Sequence, residues 1–175
     1  MSKIRFSAWK TALLLFAGVA VMHSDQGLIV HKAISLDMAM AMTQGSLDKC
    51  RELHYKCAIV VLDATGRTII ELQDDGANLH RFDVARKKAY TALVYRRPSK
   101  EVVEGWSKKT AEPVPLQEGT MPSPPIEGTI AMGGGIPIIV DKETIGAIGV
   151  SGGPNWDADE ACSKAGIAKV ADKLK

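Results

Sequence analysis

At two places along this chain, a pair of short apolar runs rich in β-branched residues is joined by a tight turn. That repeated pattern limits the available folds more than any other feature. The first pair is Cys57-Ala-Ile-Val-Val-Leu62, the turn Asp63-Ala-Thr-Gly66, and Arg67 to Gln73. The second is Ile136 to Val140 and Thr144 to Val150, joined through Asp141-Lys-Glu143. Connections this short link antiparallel strands, because a parallel crossover needs a dozen or more residues. Helical periodicity fills the rest. Leu36, Met40, Thr43, Leu47, Cys50 and His54 recur at three-to-four spacing behind an N-cap at Ser35, predicting a helix from about Leu36 to Leu53. Phe82, Ala85, Ala89, Ala92 and Leu93 predict a second from about His80 to Arg97, stopped by Pro98. Ser99 caps a short third through Trp106, and Asp157 opens a terminal one. The order α-ββ-αα-ββ-α is an α+β arrangement, an antiparallel sheet flanked by helices, rather than a doubly wound one.

At 175 residues and 46% hydrophobic content, one domain with a substantial core is expected. Residues 1–24 are set apart from it. Lys3, Arg5 and Lys10 precede an uncharged run from Thr11 to Met22, the pattern of a cleaved export signal, and the run is too short for a spanning helix. Cleavage between Ala20 and Ser24 leaves residues 25–175 as a single domain, with no membrane anchor, in the periplasm or outside the cell. Its loss removes three of the 22 basic residues, so the remainder, with 20 acidic residues, is near neutral. With this near-neutral balance and no Lys/Arg run longer than the three residues at 86–88, little remains to hold a phosphate backbone, which argues against nucleic-acid binding. From Ala111 to Gly135, five prolines and the Gly133-Gly134-Gly135 run exclude both helix and central strand.

Motif-defined chemistry is sparse. The glycine run precedes a strand and lacks the Gly-Lys-Ser/Thr of a phosphate loop, and Ser151 has no nucleophile elbow around it. Gly146 and Gly149, inside a strand, read as sites where a helix or ligand packs closely on the sheet. Met38, Met40 and Met42 read as packing residues rather than soft metal ligands. Cys50, Cys57 and Cys162 are an odd set without zinc-site spacing; they read as small buried hydrophobes, with a Cys50–Cys57 disulfide as the alternative. No two of His23, His31, His54 and His80 share a helix face at ligand spacing. His80 stands out at the start of the second helix beside Arg81. Arg86, Lys87 and Lys88 with Arg96 and Arg97 form either a solvated helix face or a docking surface for an anionic ligand.

Several sequence blocks, taken in order, resemble the GlcG/HbpS family: Val60-Val-Leu-Asp63-Ala-Thr-Gly66, Asp75-Gly76-Ala77, and Asp83-Val-Ala85-Arg86-Lys-Lys88-Ala89-Tyr90-Thr91-Ala92. They continue with Gly134-Gly-Ile-Pro-Ile138, Ile145-Gly-Ala-Ile-Gly-Val-Ser151-Gly152, and Asp159-Glu160-x-Cys162. The resemblance covers about Ser35 to Lys175. It implies a profilin-like α+β domain, homo-oligomeric, with members that bind haem and some that serve haem or redox sensing. The chain departs from the family pattern at Gln73-Asp74 and at His80-Arg81, and its proline-rich loop is longer than in typical members.

The function expected on this basis is exported haem (tetrapyrrole) binding in a groove between the second helix and the glycine-rich loop. His80 would be the ligand to the metal, with His54 a second candidate, and Arg81, Arg86 and Lys88 would pair with propionates. Two alternatives stand beside it. One is a non-catalytic subunit of an exported redox enzyme, docking through the proline-rich loop and exposed Trp106 or Trp156. The other is a small-molecule enzyme acting on an organic acid through Asp63, Asp75 or Asp83.

Overall fold

The computed structural model describes residue 27, residues 29–109 and residues 126–174. Residues 32–175 form one compact unit and residues 1–31 another, and every described helix and strand belongs to the first. The expected export signal and most of the proline-rich loop lie outside the described residues.

The elements follow the expected order. They are α1 (Leu36–Glu52), β1 (Ala58–Asp63), β2 (Thr68–Gln73), α2 (Arg81–Tyr95), α3 (Ser99–Lys109), β3 (Gly135–Val140), β4 (Glu143–Ser151) and α4 (Trp156–Ala168), then a 3-10 turn at Ala171–Lys173. Ser35 caps α1 as predicted, its hydroxyl accepting from the Met38 N–H at 3.2 Å. In the first hairpin turn the Asp63 carboxylate accepts from the Thr65 N–H, the Thr65 hydroxyl and the Arg67 N–H, so it is a turn residue. The second turn places Asp141 and Lys142 at positive φ, the geometry of a two-residue hairpin connection.

The four strands form one antiparallel sheet in the order β2-β1-β4-β3. Alternate residues of β1 serve different layers. Ala58, Val60 and Leu62 face α2 through Ala85, Ala89 and Ala92, whereas Cys57, Ile59 and Val61 join the larger core with Met42, Cys50 and Cys162 from α1 and α4. The sheet is therefore covered on both faces, and its central strands β1 and β4 are almost wholly buried.

Glycine lets α2 lie directly on the sheet, the close-packing role anticipated for Gly149. A Cβ at Gly149 would overlap the Ala85 carbonyl oxygen, and one at Gly135 would overlap that of Lys88. Two local expectations need correction. Ser99 does not cap α3; it is the helix's first residue, fully buried, and its hydroxyl accepts the Gly135 N–H at 2.9 Å. The cap of α4 is Asn155, whose side chain accepts from the Ala158 N–H at 2.9 Å, so the helix opens at Trp156 rather than Asp157.

Candidate functional site

The first half of α2, the segment leading into β3 and the turn from β4 to α4 converge at the end of β4. Between them is a cleft of about 530 Å³ lined by His80, Arg81, Val84 and Lys88, by Ile130, Ala131 and Met132, and by residues from Ser151 to Asp159. That volume lies within the range of small-molecule sites. The glycine run packs behind lining residues, Gly133 against Trp156 and Gly134 against Asp159 and Lys88. Gly134, at φ +122, turns the chain so that its carbonyl accepts both the Ser163 hydroxyl at 2.7 Å and the Val150 N–H at 3.1 Å. Gly133 lets Trp156 and Lys100 approach, since a Cβ there would meet both side chains.

The walls are mixed in character. Val84, Ile130, Ala131, Met132, Pro154 and Trp156 supply apolar surface. His80 lies exposed at the rim, at the N-cap position of α2, and its side chain makes no capping hydrogen bond, which leaves the imidazole available to a ligand. Arg81 follows it, half-buried. Deeper in, the Lys88 ammonium pairs with the Asp159 carboxylate at 2.5 Å, and the two side chains are only 3% and 4% exposed. Lys88 also donates to the Val150 carbonyl at 3.3 Å, while the second Asp159 oxygen accepts the Gly153 N–H at 2.8 Å. Burial pushes the Lys88 pKa below the ordinary lysine range, and the attraction and hydrogen bond of Asp159 only partly oppose it.

The structure thus brings some of the expected residues together and separates others. His80, Arg81 and Lys88 share the cleft; Arg86, exposed on α2, does not line it. Lys88 is neither on a solvated face nor a free cation, because its charge is held by Asp159. His54 lies just beyond α1 at φ 61, exposed, its N–H donating to the Arg51 carbonyl at 3.0 Å, and it is not part of the cleft. Among the described residues no group of three or more His, Cys, Asp and Glu side chains is placed to hold a metal ion. Trp106 and Trp156 are not the exposed docking contacts expected of them. Trp106 stacks edge-on against Tyr95 at 5.5 Å and Trp156 lines the cleft, both half-buried. Asp63, Asp75 and Asp83 are also absent from the cleft lining, where Asp159 is the carboxylate.

Sequence reasoning passed over Met132, named Asp159 only within a family block, and gave neither Asp159 nor Ser151 a role at the site. One local signal pointed to a buried Lys88: it follows Ala85 by three residues and precedes Ala92 by four, which sets it on the alanine stripe that meets the sheet. Its partner, 71 residues away, had no local signal at all. Chemically, the site offers apolar walls, an imidazole and a guanidinium at the rim and a neutralised ion pair at depth. This suits a largely apolar ligand with a few anionic or coordinating groups.

Residues 34–168 match the family model described as haem degrading protein HbpS-like. A 15.0 kDa protein of Citrobacter freundii, from the dhaT-dhaS intergenic region, is 31% identical over 120 residues, covering 69% of this chain and 80% of its own length. Among solved structures, HbpS is similar with a TM-score of 0.68 at 25% identity, over 81% of this chain and 92% of that one. The complex of PduOC with haem is similar with a TM-score of 0.65 at 23% identity, over 79% and 95% of the two chains. At that identity the second likeness concerns the fold.

Proposed function

This chain belongs to the HbpS-like family of haem-degrading proteins, and on that premise we propose that it binds haem in the cleft between α2, residues 130–132 and the β4–α4 turn. The observation that carries the reading is the cleft's division of labour. Val84, Ile130, Met132 and Trp156 provide apolar surface for a macrocycle, and His80 and Arg81 at the rim provide a nitrogen for iron and a cation for a propionate. Arg86 lies outside the lining and Lys88 is neutralised by Asp159, so propionate pairing falls to Arg81. The fold neighbour PduOC, itself crystallised as a haem complex, adds support.

The proposed setting is outside the cytoplasm, supported by the basic and then apolar N-terminal segment through Met22. Assembly into a homo-oligomer is proposed with it, supported by the exposed apolar side chains Leu36, Met40 and Ile139. Among the described residues no helix is long and apolar enough to cross a membrane.

A haemin titration of the purified protein, followed by absorbance with light scattering for mass, tests the reading. A saturable, sharpened Soret band at a defined stoichiometry is expected, and its absence would remove haem as the ligand. His80→Ala should shift the Soret maximum and weaken binding; an unchanged spectrum and affinity would reject His80 as the iron ligand while leaving binding itself intact.

A further inference from the structure

Among the described residues, three buried side-chain oxygens have no hydrogen-bond partner: Ser46 Oγ, Ser151 Oγ and one oxygen of Glu160. Only Ser151 belongs to the lining of the cleft. Its orientation follows from the sheet. Side chains alternate along β4, and Ala147 and Gly149 face α2, so Ser151, two residues further on, faces it as well. Ala58, opposite Ser151 in register, lies in the same layer and offers no polar side-chain atom. Ser151 is fully buried, and an alanine would fill its place without stranding a hydroxyl.

A second donor is anchored one residue away. The Lys88 ammonium has three N–H groups, and the described residues give acceptors to two of them, the Asp159 carboxylate and the carbonyl of Val150. Asp159 already balances the ammonium charge, so this end of the cleft favours an uncharged acceptor over a further carboxylate. The rim differs. Arg81, Val84 and Lys88 recur at spacings of three and four residues on one stripe of α2, which puts the half-buried Arg81 about 10 Å along the helix axis from Lys88.

We propose that Ser151 and the third Lys88 N–H form a specificity subsite for the inner edge of a porphyrin, taking the oxygen of a formyl, acetyl or hydroxyalkyl substituent. The inference rests on the haem reading and deepens it. A haem carries both propionates on one edge of its ring. With a propionate at Arg81, the opposite edge is the one directed along α2 toward Lys88 and Ser151. In protohaem that edge bears vinyl and methyl groups, which leave both donors unpaired. A carbonyl oxygen there has two lone pairs and can accept from both, and a hydroxyl can accept from Lys88 while it donates to Ser151. With no partner to hold it, the Ser151 hydroxyl turns about χ1 to meet the substituent. Both donors are shut off from bulk water, which strengthens a hydrogen bond made to them.

Two haemins that differ only at that edge provide the test on the full chain: mesohaemin, with ethyl groups in place of the vinyls, and diacetyldeuterohaemin, with acetyl groups. Absorbance titration gives a Kd for each. The wild-type protein should bind the diacetyl compound about tenfold more tightly, the worth of one or two hydrogen bonds. In Ser151→Ala that ratio should fall at least about threefold while the mesohaemin affinity holds. Acetyl groups also withdraw electrons from the ring, but that effect is common to both proteins and cancels in the comparison. Equal affinities in the wild type, or the same ratio in Ser151→Ala, would overturn the proposal. Melting of the ligand-free proteins adds a check: Ser151→Ala should melt at or above the wild-type temperature, and a lower value would show that the hydroxyl already has a partner. If neither haemin binds, the haem reading itself fails; if both bind alike, only the specificity subsite does.

Discussion

Replacing Asp159 by asparagine keeps the shape of the side chain and removes only its charge, which makes it a direct probe of the ion pair at the back of the cleft. The Asp159 carboxylate holds the Lys88 ammonium at 2.5 Å and the Gly153 N–H at 2.8 Å, and neither charged side chain is more than 4% exposed. Asparagine can still accept from Gly153, so the loss is confined to the charge-assisted bond and the stranding of a buried ammonium. Removing one partner of a buried pair costs about 3–5 kcal/mol, so Asp159→Asn should lose that much stability in urea titration at pH 7. Asp159→Ala should lose roughly 1–3 kcal/mol more by orphaning the Gly153 N–H. The pH dependence supplies an independent check. Lys88 already has a folded pKa below its unfolded value because of burial, with Asp159 opposing the shift. The unfolded chain therefore holds the Lys88 proton more tightly, and this group's contribution to stability rises with pH between the folded value and the ordinary lysine value of about 10.4. Without Asp159 the depression deepens, so recovery begins at lower pH and the Asp159→Asn deficit shrinks by pH 10. A deficit under about 1 kcal/mol at pH 7, or one equal at pH 7 and 10, would refute the uncompensated-ammonium argument.

Two further substitutions, with a third as a control, test how the helices are held on the sheet. Ser99→Ala removes the acceptor of the buried Gly135 N–H and should cost about 1–3 kcal/mol, read from the urea midpoint at constant slope. A loss below about 0.5 kcal/mol would show that the N–H finds another acceptor. Gly149→Ala drives a methyl into the backbone of α2 at Ala85 and Ala89 and should cost about 3 kcal/mol, whereas Gly105→Ala in α3 has its nearest neighbour, the Arg97 guanidinium, 3.9 Å away and should stabilise by up to about 1 kcal/mol. Equal melting temperatures for these two glycine variants would refute the close-packing account.

Much of the architecture was legible because it is written in local repeats. The two apolar pairs around Asp63-Ala-Thr-Gly66 and Asp141-Lys142 became the two hairpins, and the spacing from Leu36 to Cys50 became α1 within a residue or two. Ser99 was misread because a serine after a helix-stopping proline looks like a cap whether its hydroxyl turns to its own helix or to a distant N–H. The aromatic residues failed for a related reason: Trp156 near a glycine-proline turn suggests exposure, but Gly133 makes room for it against the cleft wall.

By itself the sequence determined the element order, the antiparallel pairing, the family resemblance and the position of His80 and Arg81 at the start of a helix. These depend on periodicity and turn chemistry, which act over a few residues. Tertiary structure alone decided that Lys88 is buried and that Asp159 neutralises it. A lysine on a helix belongs in water unless something distant compensates its charge, and here the compensating carboxylate arrives from 71 residues away, when the N-terminal ends of α2 and α4 converge at the end of β4.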